Sequence, residues 1–189
     1  MRHVGWLLVA FGALCARSSA QQEPSPFERK TLDQAMALAG LQPARLAVVL
    51  TPTLPRAVSP NAEAWTIYDE TCKGDRIFLY TRSGVFRCAS DEQPLQHQCL
   101  LKLASVIVHE SWHLEHGPDE AAAYTAQLLF LQMIEASAFL QLNEAAATEM
   151  AAIRRARSRV LADKRHAGKT GSKSSTQPAC QSLTVYSRK

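Results

Sequence analysis

No Cys-x-x-Cys pair occurs in this 189-residue chain, so the usual cysteine-ligated zinc modules are excluded by spacing alone. Long uninterrupted apolar runs are also missing. Val4 to Leu14 is too short to cross a membrane as a helix, and Ala121 to Leu142 is broken by Gln127, Gln132, Glu135 and Gln141. The tract GKTGSK lacks both the full spacing and the preceding strand of a phosphate-binding loop. Internal repeats are absent. There is no second Glu-x-x-His, so a carboxylate-bridged di-iron bundle lacks one of the two such motifs it needs. Aromatic residues are absent from the basic segment Arg154 to Lys173, which removes the stacking platform needed for specific nucleic-acid recognition.

What is present begins with an export pattern. Arg2 and His3 precede the short apolar run, and Ser18-Ser19-Ala20 supplies the small residues that a signal peptidase reads. Residues 1–20 are expected to be a signal peptide cleaved after Ala20, which places the protein in a secreted or periplasmic compartment. The mature chain then keeps Cys72, Cys88, Cys99 and Cys180, an even set that suits two disulfides. Cys88 with Cys99 is the preferred pair because it closes a short polar loop, leaving Cys72 for Cys180. Charge is unevenly shared. From Arg154 onward there are ten Lys/Arg against one acid, whereas Gln21 to Ile153 has nine against sixteen.

One domain is expected over residues 21–161, followed by a basic, flexible tail over 162–189 rich in Gly, Ser, Lys and Thr. Thr31-x-x-Gln34 has the form of a capping box for a first helix that stops at Gly40. Arg45–Leu50, Trp65–Tyr68, Arg76–Thr81 and Val85–Cys88 have strand character, the last two joined as a hairpin across Arg82-Ser83-Gly84. Cys99–His116 has helical apolar spacing and ends at Gly117-Pro118, after which a second, long helix begins. Its nearly all-round apolar composition predicts burial.

The chemistry concentrates in His109-Glu110-Ser111-Trp112-His113, an HExxH sequence on a helix. Four residues make a little over one turn, so the two imidazoles project side by side toward one tetrahedral metal. Glu110 sits on an adjacent face, where it can take a proton from a metal-bound water. A third ligand is required, and His116, Asp119 and Glu120 are the candidates. One straight helix rarely delivers three ligands, which argues against His116. The Gly-Pro turn lets the chain aim an acid back at the site, and Glu120, in the first turn of the next helix, is favoured over Asp119. Trp112 is expected in the core, away from the ligands. His97, Arg82, Arg87 and Tyr124 are further polar candidates around the cleft.

HExxH followed by a glutamate at the head of the next helix resembles the gluzincin branch of the zincin metallopeptidases. Its short spacing is similar to that of the ImmA/IrrE-type peptidases, the likeness running from Val106 to about Leu131. The resemblance implies His109, His113 and Glu120 as zinc ligands and Glu110 as general base. The metzincin pattern fits less well. Asp119 occupies its last ligand position, but His116 stands where that pattern has glycine, and a long helix replaces the methionine turn.

The expectation is therefore an α+β, zincin-like fold: a small, mostly antiparallel sheet, an HExxH helix and a long buried backing helix. The expected activity is hydrolysis of peptide bonds in a peptide or protein substrate, with Zn2+ as cofactor. The contrasting expectation is a noncatalytic secreted metal-binding or protein-interaction module. The basic tail offers a contact for anionic surfaces, and the mature chain is expected to have no transmembrane helix.

Overall fold

The computed structural model describes residues 23–91, 95–136 and 140–169. The expected signal peptide, the Gly/Ser-rich end of the tail and Cys180 lie outside the described residues. The chain is α+β, with a small three-stranded sheet and helices α1 (Pro26–Leu38), α2 (Gly84–Ser90), α3 (Gln96–His116), α4 (Glu120–Ala136) and α5 (Leu140–Lys169). Among the described residues no helix is long and apolar enough to cross a membrane.

Helix α1 starts earlier than the Thr31 signal implied. Ser25 is its cap: the Ser25 hydroxyl accepts from the Glu28 amide, and Glu28 reaches back to the Ser25 amide, with Pro26 at the first helical position. Thr31 is instead an interior residue. Buried with Ala35 and Met36, it bonds to the Phe27 carbonyl and to Ser90 on α2. Gly40, at φ +69°, supplies the left-handed turn that ends the helix.

The strands are β1 (Val48–Thr51), β2 (Ala64–Tyr68) and β3 (Gly74–Tyr80), in the order β1-β3-β2. Pairing is mixed rather than mostly antiparallel: β1 runs parallel to β3, and β2 antiparallel to it. Strand alternation sorts the side chains. Leu50, Ala64, Ile77 and Leu79 join the main core, whereas Trp65, Ile67, Phe78 and Tyr80 pack with Val58 and Ala62 of the proline-rich loop on the other face. Trp65 stacks on its cross-strand partner Phe78 at 5.4 Å.

Val85–Cys88 is not a strand, so the expected hairpin does not form. Ser83 caps α2 by accepting from the Phe86 amide, and Val85, Phe86 and Ala89 are buried at helical spacing. Capping chemistry and a helical burial pattern outweigh the β-branched residue in so short a run. Cys88 and Cys99 form a disulfide that ties α2 to α3.

Helix α3 runs through the centre, with Leu101, Ala104 and Ile107 fully buried against the neighbouring elements. At its C-terminal end β3 passes very close, and a Cβ on Gly74 would lie 2.6 Å from Leu114 Cα. The long second helix is divided. Helix α4 ends at Ala136, α5 begins at Leu140, and the outer face of α4 leaves Leu129 and Met133 exposed. Its inner face buries Phe130 and Leu131, worth about 1.5–3 kcal/mol each. Helix α5 continues to Lys169, past the expected boundary at 161, so the first part of the basic segment is helical.

Candidate metal centre

The α3–α4 corner is built by one glycine. Gly117, at φ +83°, ends α3, and its amide donates to the His113 carbonyl. Asp119 then opens α4: its Oδ1 accepts from the amides of Ala121 and Ala122 at 3.0 and 3.3 Å. The next residue, Glu120, is turned inward over the end of α3. Its carboxylate comes to 2.7 Å from His113 Nε2 and 3.3 Å from His109 Nε2, and the two Nε2 atoms are 3.2 Å apart. All three side chains are buried.

The nature of these atoms determines what can sit among them. His113 Nδ1 lies 2.8 Å from the Gly117 carbonyl. A carbonyl only accepts, so Nδ1 carries the proton and Nε2 of the neutral ring presents a lone pair. This is the outer hydrogen bond that orients metal-binding imidazoles. Neither Glu120 oxygen meets a donor in hydrogen-bond alignment, close as the imidazoles are. The Glu120 carboxylate and His113 Nε2 thus present lone pairs in a buried space that His109 Nε2 also faces, an arrangement relieved by a proton or a cation at the centre. The spacing suits a cation: bonds of 2.0–2.1 Å in a tetrahedron put ligand atoms about 3.3 Å apart, close to two of the observed separations, 3.2 and 3.3 Å, with the Glu120–His113 contact shorter at 2.7 Å. The donor set, two imidazoles and one carboxylate within 4.8 Å of one another, fits zinc.

Burial and neighbours act on the charges in opposite directions. For His113, burial disfavours the cation, but the Glu120 carboxylate outweighs it and its pKa is raised. For Glu120, burial pushes the carboxyl up, and the two imidazoles more than reverse this, leaving it lowered. Glu110 goes the other way. Its carboxyl is raised by burial despite the nearby imidazoles and a hydrogen bond from Thr66. Glu110 is not part of the three-residue cluster. Its Oε2 is held 2.8 Å from the Thr66 hydroxyl on β2.

Asp119 and His116 are not brought to the cluster. Asp119 is half exposed and pairs with Lys164 of α5 at 2.9 Å, and the exposed His116 ring stacks on Trp112 at 4.8 Å. Trp112 is only half-buried and lies edge-on to His113 at 5.7 Å, so it borders the cluster rather than facing away. His97 is exposed near the start of α3, about 18 Å along the helix from His109. Arg82 and Arg87 line a separate cleft with Glu28 and Thr81. Tyr124 packs its ring 4.7 Å from that of His109. Beside the cluster a narrow cleft with a cavity of about 30 Å³ is lined by Asn61, Glu63, Ala64, Val106, His109, Glu110, Tyr124 and Gln127. Two neighbours were not singled out from sequence: Thr66, and Tyr68, whose ring meets His113 edge-on at 6.1 Å. Both belong to a stretch whose composition signals only a strand.

The chain matches no protein-family model, and neither curated proteins nor solved structures show a detectable likeness to it.

Proposed function

We propose that this protein is an exported, zincin-like peptidase that hydrolyses peptide bonds with zinc held by His109, His113 and Glu120. The observation that carries the proposal is the division of labour at the α3–α4 corner. Three lone-pair groups converge there, while the adjacent carboxylate of Glu110 stands outside the cluster at the edge of a cleft. Among the described residues no fourth ligand joins the three, which is the pattern of a catalytic rather than a closed structural site. When bound, zinc supplies Lewis acidity that polarises a carbonyl and acidifies a coordinated water.

The protein's own residues do the rest. Glu110 accepts the proton of the attacking water and returns it to the departing amine. Burial raises the affinity of Glu110 for that proton. Strand β2 pairs with β3, and its other side is an edge among the described residues. An extended substrate laid on that edge is held by main-chain hydrogen bonds, with its side chains alternating toward and away from the cleft. The Cys88–Cys99 disulfide agrees with an oxidising, extracytoplasmic location.

The test is Glu110→Gln, which keeps shape and removes the base. The variant should retain the zinc content of the parent while cleavage of casein or a peptide library falls by about 10²–10⁴-fold. A parent that binds zinc but cleaves nothing would instead identify a noncatalytic metal-binding module.

A further inference from the structure

We infer that Thr66 is a positioning residue that anchors the Glu110 carboxylate from the neighbouring strand, an inference that rests on the peptidase reading. Alternation along β2 sends Trp65 and Ile67 to the loop-covered face and turns Ala64 and Thr66 toward α3. The Thr66 hydroxyl thereby meets Glu110 across 44 positions of sequence, at 2.8 Å from Oε2 and 3.4 Å from the Glu110 main-chain carbonyl. One proton serves both contacts, and the shorter, charge-assisted one takes it.

Several features make this a fixed anchor. Thr66 is wholly inaccessible and Glu110 is 5% exposed, so bulk water does not compete for the bond. A β-branched side chain is stiff at χ1, and a strand within a sheet is more rigid than a loop. With Oε2 committed to β2, the second oxygen of Glu110 is left for water at the cleft. Glu110 is thus kept beside His109, its chain neighbour, without joining the three-ligand cluster. The strand proposed to take the substrate also carries the anchor, so substrate backbone and proton acceptor share one frame.

The experiment compares full-chain parent protein with Thr66→Val, which is nearly isosteric but lacks the hydroxyl, and Thr66→Ser, which keeps it. Zinc content, kcat and KM on a casein-derived peptide, and the crystal structure of the zinc-loaded Val variant are measured. Anchoring predicts that Thr66→Val keeps its zinc and its KM, loses about 10- to 100-fold in kcat, and shows Glu110 swung away from β2. Thr66→Ser should restore most of the loss. An unchanged kcat in Thr66→Val overturns the inference and leaves the peptidase reading intact, as does a loss that falls on KM or zinc and is not rescued by Ser. If the parent cleaves nothing, the peptidase reading fails by itself. The Val structure then decides the anchor: Glu110 unmoved overturns it, and Glu110 displaced supports it. Should Thr66→Val not fold, Thr66→Ala is put through the same comparison.

Discussion

The α3–α4 corner and the basic half of α5 hold ionisable side chains under opposite conditions. At the corner His109, Glu110, His113 and Glu120 are each at most 5% exposed, whereas Arg154, Arg155, Arg159 and Arg165 stand in solvent. Burying an ionisable group costs several kcal/mol unless partners compensate, and such costs concentrate where chemistry needs them. Exposed cations carry no comparable cost. The two regions touch at adjacent residues. Glu120 faces two imidazoles inside, and Asp119 faces Lys164 outside. The lesson is that density of charge marks solvent contact here, and enclosure of charge marks the candidate site.

Substitutions at this boundary should break or sharpen the contrast. The largest effect is expected from Glu120→Ala, which should weaken zinc affinity by more than about 100-fold, beyond the range that outer hydrogen-bond partners are worth. Isothermal titration with zinc measures it, and near-parental affinity would remove Glu120 from the ligand set. Next is the covalent tie at the opposite end of α3 from the corner. Replacing Cys88 and Cys99 by Ala should lower unfolding stability by about 3 kcal/mol in urea, given the short loop they close.

Asp119→Ala should cost about 1 kcal/mol as a lost helix cap and leave zinc affinity unchanged. Its pH dependence has a definite sign. Lys164, first among the causes, and the α4 amides lower the Asp119 pKa, so its contribution is present above the unfolded carboxyl value and disappears as pH falls through the folded one. Parent and Asp119→Ala melting temperatures should therefore converge in acid. The smallest effect belongs to solvent: changing Arg154, Arg155 and Arg159 singly to Gln should each shift stability by no more than about 0.5 kcal/mol. A large loss there would mean that the basic face is an internal partner after all.

Much of this architecture could be read from local signals. The three strands, the central helix and its stop at Gly117 follow from β-branched runs, apolar periodicity and a glycine cap, all properties of neighbours in the chain. Misreadings arose where two local signals competed. Ser83 could be a turn residue or a helix cap, and the burial of Phe86 and Ala89 decided for the cap. Thr31 was read as a cap, but packing against Ser90 claimed it for the helix interior, and Ser25 does the capping. The parallel pairing of β1 with β3 depends on which edge the chain returns to, something no short window contains.

The same division governs the site. The spacing of His109 and His113 sets both imidazoles on one side of a helix whatever surrounds it, because helical pitch is a local constant. Which acid joins them depends on a turn: the chain reverses at Gly117, and α4 then starts with residue 120, and not 119, pointing inward. Thr66 is invisible until strand and helix pack, since its partner is 44 positions away and a lone threonine in a strand has no periodicity to betray it. Sequence determined which groups stand one helical turn apart; tertiary structure alone decided which of them are enclosed together, because burial and lone-pair convergence are properties of packed surfaces.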